Sequence, residues 1–445
     1  MITGNRVGIS KNFFSLLLIG SLATFLPAYG SEHEGDDHER NDREGKWIGT
    51  WAAGVNRAPI APITSFINGL ENQTVRNIIH TTIGGSKVRV RLSNGAGTQS
   101  VTFDAVYIGL QLNGANIVSG SNKPVTFGGK TSVSIPPGAD ALSDEIRFRV
   151  EANQNLAISI FTAAATGVPS IHNEADQTTY IASGNLAGAY SGSFPSISHS
   201  WYFLRGVEVR TRSDVKGAIV PFGDSITDGT ASTIDANHRY PDFLARRIQT
   251  SRHLHWAVLN AGYGGDRVLN DSGCFGVNGV ARLERDVLLR PGAKAVILLM
   301  GINDIGFSDG APFPPPLDIY NPCFEPRTNV SAEQIIDGYR QIIAQVHAKG
   351  MRIYGGTLTP YKGSFYWTPA GEAKRETINT WVKSSGAFDG VVDFASAVAE
   401  PSDPQTMRTE LQSGDHLHPN DAGYEAMANA VDLLMIDEGS DSESR

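Results

Sequence analysis

Residues 217–229 read GAIVPFGDSITDG. The first half is a continuous apolar run without alternation, the pattern of a strand buried on both faces. The second half is a polar turn in which Ser225 stands among glycines and aspartates. A serine in that position is either an ordinary turn or helix-cap residue or a nucleophile lifted clear of a sheet. The segments that follow decide between the two.

Downstream, apolar runs alternate with helical patterns. HWAVLNAG (255–262) precedes GVARLERDVLL, AKAVILLMG (293–301) precedes SAEQIIDGYRQIIAQVHAKG, RIYGGTLTP (352–360) precedes EAKRETINTWVKSS, and GVVDFA (390–395) precedes DAGYEAMANAVDLLM. With RYPDFLARRIQ after the opening stretch, these make five strand–helix units. They predict an α/β domain over 213–436 with a five-stranded parallel sheet covered on both faces. Ligands of such sheets gather at the carboxyl ends of the strands.

Upstream the rhythm has period two. SKVRVRLSNG (86–95) puts Val88, Val90 and Leu92 on one face and Lys87, Arg89 and Arg91 on the other. TSVSIPPG, DEIRFRV, LAISIFTA and WYFLRGVEVR repeat the theme between Gly, Pro and Asn turns. Residues 47–212 are therefore expected to form an all-β, jelly-roll-like sandwich.

The ends of the chain are of another kind. Arg6 and Lys11 precede the apolar run FFSLLLIGSLATFL (13–26), followed by the small-residue segment PAYG. That is the pattern of a signal peptide over 1–30, with cleavage near Gly30; the run is shorter than the roughly 20 residues a membrane span needs. The protein is thus expected to be secreted or periplasmic, with no membrane attachment after cleavage. Residues 31–46 read as a disordered acidic linker and 437–445 as an acidic tail. Formal net charge is −9, which becomes −11 on losing two basic leader residues. Such a balance excludes nucleic-acid binding through phosphate neutralisation. In an oxidising compartment Cys274 and Cys323, 49 positions apart, form the expected disulfide.

The polar residues at the predicted strand ends form one constellation. The first strand offers Asp224 and Ser225, the second Asn260, Gly262 and Gly264, the third Gly301, Asn303 and Asp304, and the segment before the last helix Asp415, His416 and His418. A serine hydroxyl needs a base, and the base needs a group that fixes its tautomer. His418 suits the first role and Asp415 the second, because the Asp-x-x-His spacing carries both on one short segment. Backbone N–H groups of Ser225 and Gly262, with the Asn303 amide, are the candidate oxyanion donors. Asp224 and Tyr263 are candidate substrate contacts. So are Phe307 and Phe313 in the long connection 305–330, where Tyr320 and Phe324 would extend an acyl or sugar wall. The chemistry needs no metal or organic cofactor. Asp224, Asp228 and Asp304 read as braces of turns and loops rather than as a cation site.

Four segments, GDSITDG, NAGYGGDRVL, GINDI and DHLHP, resemble in order and spacing the four blocks of the SGNH (GDSL-type) hydrolase superfamily. Ile226 replaces the leucine of the strict first block. The resemblance implies a flavodoxin-like three-layer fold, Ser225 as nucleophile, Gly262 and Asn303 in the oxyanion hole, and Asp415 with His418 completing the triad. WIGTWAAG and VRVRLSNG resemble, more loosely, the β-domain of secreted two-domain members of the arylesterase-like, xylan-associated branch. The expected substrate is a carboxylic ester with a short acyl group, extending to acetylated plant polysaccharide. A lipase-like acylhydrolase and a carbohydrate-binding protein with an inactive hydrolase scaffold are the competing readings.

Overall fold

The run GAIVPFG forms a strand in which all seven residues are buried, and it lies inside a parallel sheet. In a computed structural model that describes residues 45–57, 69–251, 254–309, 312 and 317–438, five strands build this sheet. They are β1 (Gly217–Gly223), β2 (Trp256–Val258), β3 (Ala293–Leu299), β4 (Arg352–Gly356) and β5 (Gly390–Val392). Their order is β2-β1-β3-β4-β5, all parallel, with the short piece Ala261–Gly262 continuing β2 alongside β1. The expected leader, nearly all of the linker and tail, and Phe313 lie outside the described residues.

The helices used below are α1 (Ser225–Asp228), α2 (Tyr240–Thr250), α3 (Ala332–Ala348), α4 (Pro369–Ser384) and α5 (Asp421–Ala430). Their starts are written locally. Ser331 Oγ accepts from Gln334 N–H and Gln334 returns the bond to Ser331 N–H, a capping box that opens α3. Thr368 caps α4, with proline in its first turn, and Asn420 caps α5. The connection after β3 departs from a plain loop. Residues 302–309 are helical, and residues 302–307 are buried, with Ile302, Ile305 and Phe307 in the apolar core.

The described residues between 47 and 212 form antiparallel sheets. Trp47–Ala52, Leu204–Arg210 and Gly85–Ser93 lie side by side, with Asp140–Leu142 and Ile146–Val150 both pairing to the last. A second sheet centres on Gln73–His80, Asn155–Thr162 and Ala105–Asn113. In Gly85–Ser93 the period of two is realised in side-chain contacts. Val88, Val90 and Leu92 are fully buried. On the opposite face Lys87 pairs with Glu145 at 3.0 Å, Arg91 with Glu208 at 2.7 Å, and Arg89 covers the Trp47 ring. WYFLRGVEVR is not one strand. Phe203 adopts φ 55°, and the chain passes there from one sheet to another.

The β half and the α/β half belong to one compact unit and share a continuous apolar core. Arg290 ties them, donating to Ala53 O at 2.7 Å and Arg205 O at 2.8 Å. Among the described residues no helix is long and apolar enough to cross a membrane.

Candidate active site

The turn after β1 is tight. A Cβ at Gly223 would overlap Thr227 Oγ1 and Leu299 O, so only glycine lets α1 fold back over the strand end. Asp224 Oδ1 accepts from Ile226 N–H at 3.1 Å and caps the helix. Gly229 closes it with φ 111° and donates to Ser225 O at 2.9 Å. Ser225 is thus the first residue of a single helical turn at the carboxyl end of β1. Its own N–H donates to no group among the described residues.

The imidazole arrives from 193 positions downstream. His418 Nε2 lies 2.9 Å from Ser225 Oγ, and His418 Nδ1 lies 2.6 Å from Asp415 Oδ2. Asp415 Oδ1 accepts from Leu417 N–H, His418 N–H and the Ser413 hydroxyl, each at 2.9 Å. Burial raises the pKa of this carboxylate, but the His418 ring and the two amides outweigh burial and hold it below the ordinary range. An acceptor fixed at Nδ1 leaves Nε2 of the neutral ring free to accept the serine proton. His416 sits in the exposed turn with φ 59°, its ring beside Gly363.

Asn303 follows β3 and is held at both ends. Its Nδ2 donates to Asp266 O at 3.0 Å, and the Tyr366 hydroxyl donates to its Oδ1 at 3.1 Å. Asp304 accepts from Val268 N–H at 2.7 Å and Leu269 N–H at 3.1 Å, anchoring the loop after β2. Sequence reading missed Tyr366, which lies 63 positions from its partner on a different connection.

The Gly262 amide is not open to a ligand. It donates to Asn260 Oδ1 at 2.8 Å, while Asn260 Nδ2 donates to Thr227 O and Asp228 O at the end of α1. Gly262 is glycine for another reason, since a Cβ there would overlap the Asp228 backbone. Gly265 presents the open amide in this loop. It has φ 72°, and its N–H donates to no group among the described residues. The next residue, Asp266, carries the carbonyl that binds Asn303. The signal for Gly265 was in the quoted segment NAGYGGDRVL, but spacing alone does not rank its three glycines.

The expected substrate contacts change as well. Asp224 is buried beneath the turn, where burial pushes its pKa up to about 7. Its carboxylate points into the helix start because it caps that helix. Tyr263 is buried edge-on against His172, with ring centroids 5.4 Å apart. Phe307 is fully buried, 4.7 Å from the Phe324 ring and 5.9 Å from Phe275. These aromatic rings satisfy one another instead of lining an open wall. Cys274 and Cys323 are disulfide-bonded beside them and join the loop after β2 to the connection after β3. Asp224, Asp228 and Asp304 are committed to the cap, to His172 and to the loop amides. Among the described residues no three acids, histidines or cysteines converge on a metal-binding cluster.

Residues 222–426 match the GDSL-like lipase/acylhydrolase family. No curated protein matches the chain. Among solved structures, similarity extends to a lipase/acylhydrolase from Enterococcus faecalis, at 19% identity over 50% of this chain and 95% of that one, with a TM-score of 0.36. It extends to a GDSL-like lipase from Bacteroides thetaiotaomicron at 15% identity, 51% and 89% coverage and TM-score 0.35. An acetyl xylan esterase gives 18% identity, 48% and 96% coverage and TM-score 0.35. Ser225, Asn303, Asp415 and His418 all lie within residues 222–426, the part of the chain that matches the GDSL-like lipase/acylhydrolase family of ester-hydrolysing enzymes.

Proposed function

We propose that the protein is a secreted serine esterase that hydrolyses carboxylic esters of short acyl groups through an acyl-enzyme. The observation that carries this reading is the 2.9 Å approach of His418 Nε2 to Ser225 Oγ, with Asp415 behind the ring. Ser225 Oγ attacks the ester carbonyl as His418 takes its proton. The carbonyl oxygen becomes an oxyanion facing the N–H groups of Ser225 and Gly265 and the second Nδ2 hydrogen of Asn303. The tetrahedral adduct collapses, His418 returns the proton to the departing alcohol, and the acyl group stays on Ser225. Water, deprotonated by His418, then releases the acid and restores the hydroxyl.

Two features support the finer reading. The closed cluster of Phe275, Phe307 and Phe324 favours a short acyl group, since these rings are occupied with one another. The Cys274–Cys323 bond, with the leader-like N-terminus, favours an oxidising compartment outside the cytoplasm. Acetylated polysaccharide is the natural substrate class to examine first.

Ser225→Ala is expected to abolish hydrolysis of p-nitrophenyl acetate while leaving the circular dichroism spectrum unchanged. Turnover near the wild-type level would end the assignment. Wild-type enzyme should prefer acetate to octanoate esters; the reverse order would favour a lipase-like acylhydrolase.

A further inference from the structure

Next to the site stands a second histidine–aspartate pair, this one buried, that the reaction as written does not use. His172 ends the strand Ser170–His172 of the β half and is buried. Its Nδ1 lies 2.8 Å from Gly54 O, and its Nε2 lies 2.8 Å from Asp228 Oδ1. A carbonyl and a carboxylate both accept, so the two contacts favour a ring that carries hydrogen on both nitrogens. Burial by itself lowers the pKa of the ring. The Asp228 charge and both hydrogen bonds overcome this and raise it.

Asp228 joins two parts of the catalytic apparatus. It is the last residue of α1, three positions after Ser225. Its other oxygen, Oδ2, accepts from Gly264 N–H at 3.1 Å, one peptide before the open amide of Gly265. One carboxylate therefore ties the helix of the nucleophile to the loop of an oxyanion donor, and His172 holds that carboxylate in place. Neighbouring bonds run between the same segments. Thr230 Oγ1 donates to Glu174 Oε2 at 2.8 Å, Asp235 N–H donates to Asp176 O at 3.0 Å, and Arg239 donates to Ala175 O. Trp201 covers the His172 ring, with centroids 5.2 Å apart.

We propose that His172 is a positioning residue for ester hydrolysis, acting through Asp228 to fix the Ser225 hydroxyl relative to the Gly265 amide. The β half is then part of the catalytic apparatus and not a detachable module. The inference rests on the reading of Ser225 as nucleophile. Oxyanion stabilisation depends on donor placement to a fraction of an ångström, and a misplacement of about 1 Å costs on the order of 100-fold in rate.

The test uses the full chain with p-nitrophenyl acetate. It compares His172→Gln, Asp228→Asn and their double variant with wild type. His347→Gln is the control; it breaks an exposed histidine–aspartate contact of 2.9 Å elsewhere in the fold. Loss of the pair is expected to lower kcat by about 10- to 100-fold with KM within about threefold. Labelling of Ser225 by a fluorophosphonate should slow by the same factor. The double variant should be no worse than the poorer single one, and His347→Gln should match wild type. A purely structural role would lower the melting temperature and spare kcat. A folded His172→Gln enzyme with kcat within twofold of wild type overturns the proposal, and so does a rise in KM with kcat preserved, which would mark a substrate contact. Should His172→Gln not fold, Asp228→Asn is judged by the same criteria. Failure of both to fold also overturns it, since the pair would then act on stability. Persistent turnover by Ser225→Ala is a separate outcome that removes the esterase reading whatever His172 does.

Discussion

The Tyr366 hydroxyl donates to Asn303 Oδ1 at 3.1 Å, while Asn303 Nδ2 donates to Asp266 O at 3.0 Å. Two bonds at opposite ends of one amide fix its plane and decide which atom is nitrogen. Asn303→Ala is expected to lower kcat on p-nitrophenyl acetate by about 10²–10³-fold, the usual cost of one oxyanion donor. Tyr366→Phe keeps the ring and removes only the orienting bond, so a smaller drop in kcat with little change in KM should follow. Steady-state kinetics of both variants checks the order. Equal losses would place Tyr366 itself against the substrate.

Asn260 spends its amide on three backbone groups: Gly262 N–H, Thr227 O and Asp228 O. Asn260→Ala leaves these partly buried groups unpaired and is expected to cost about 1–3 kcal/mol in stability. Urea unfolding measures that loss. The same variant frees the Gly262 amide. Improved kcat would return Gly262 to the oxyanion hole in place of Gly265.

Asp415 orients His418 through one oxygen and receives three donors on the other. Asp415→Asn should lower kcat by on the order of 10³–10⁴-fold, because the amide favours the wrong imidazole tautomer. Its carboxylate is held below the ordinary range. A group depressed in the folded state contributes stability above its unfolded value of about 3.9 and loses it as pH falls through the folded value. The melting-temperature advantage of wild type over Asp415→Asn should be constant from pH 5 to 7 and shrink below pH 4. A constant advantage down to pH 2 would contradict it.

Asp224 and His172 act on stability in one direction. Burial raises Asp224 to about 7, and Asp228 raises His172 against the effect of burial. In both cases the folded state holds its proton more tightly than the unfolded chain. Stability therefore declines as pH rises, starting above about 4 for the aspartate and about 6.5 for the histidine. Urea midpoints of wild type should fall between pH 5 and 9. Asp224→Asn should flatten the lower part of that fall and His172→Gln the upper part. A profile shared by all three proteins would show that neither group governs it.

Cys274 and Cys323 close a loop of 49 positions. In the chain-entropy model such a bond contributes roughly 4 kcal/mol. The double variant Cys274→Ser/Cys323→Ser is expected to unfold at lower urea. Its kcat on acetate should be preserved, because the bond braces the Phe275–Phe307–Phe324 cluster and touches none of the reacting groups.

The sheet was legible because its strands are uninterrupted apolar runs; the serine was legible because it follows a strand, and the imidazole and carboxylate because Asp-x-x-His stands on one short segment before the last helix. Ser225, Asp415 and His418 could be named from position and residue type. The remainder depends on contacts that spacing does not encode. Which of Gly262, Gly264 and Gly265 keeps an open amide is settled by the Asn260 side chain and by Asp228. Asp224, Tyr263 and Phe307 sit beside the reacting groups in sequence yet face inward, because a helix cap, a histidine ring and two phenylalanines claim them. Tyr366 and His172 carry no local signature. Their partners lie 63 and 56 positions away, so only the folded chain identifies them.

The bond between His172 and Asp228 also has a consequence for descent. One partner is contributed by the β half and the other by the segment that carries Ser225, and neither charge is comfortable in the interior without its opposite. Related chains that keep both halves should therefore vary at positions 172 and 228 together or not at all. A lineage that shed the β half would have had to find a new anchor for the far end of the helix that begins at Ser225.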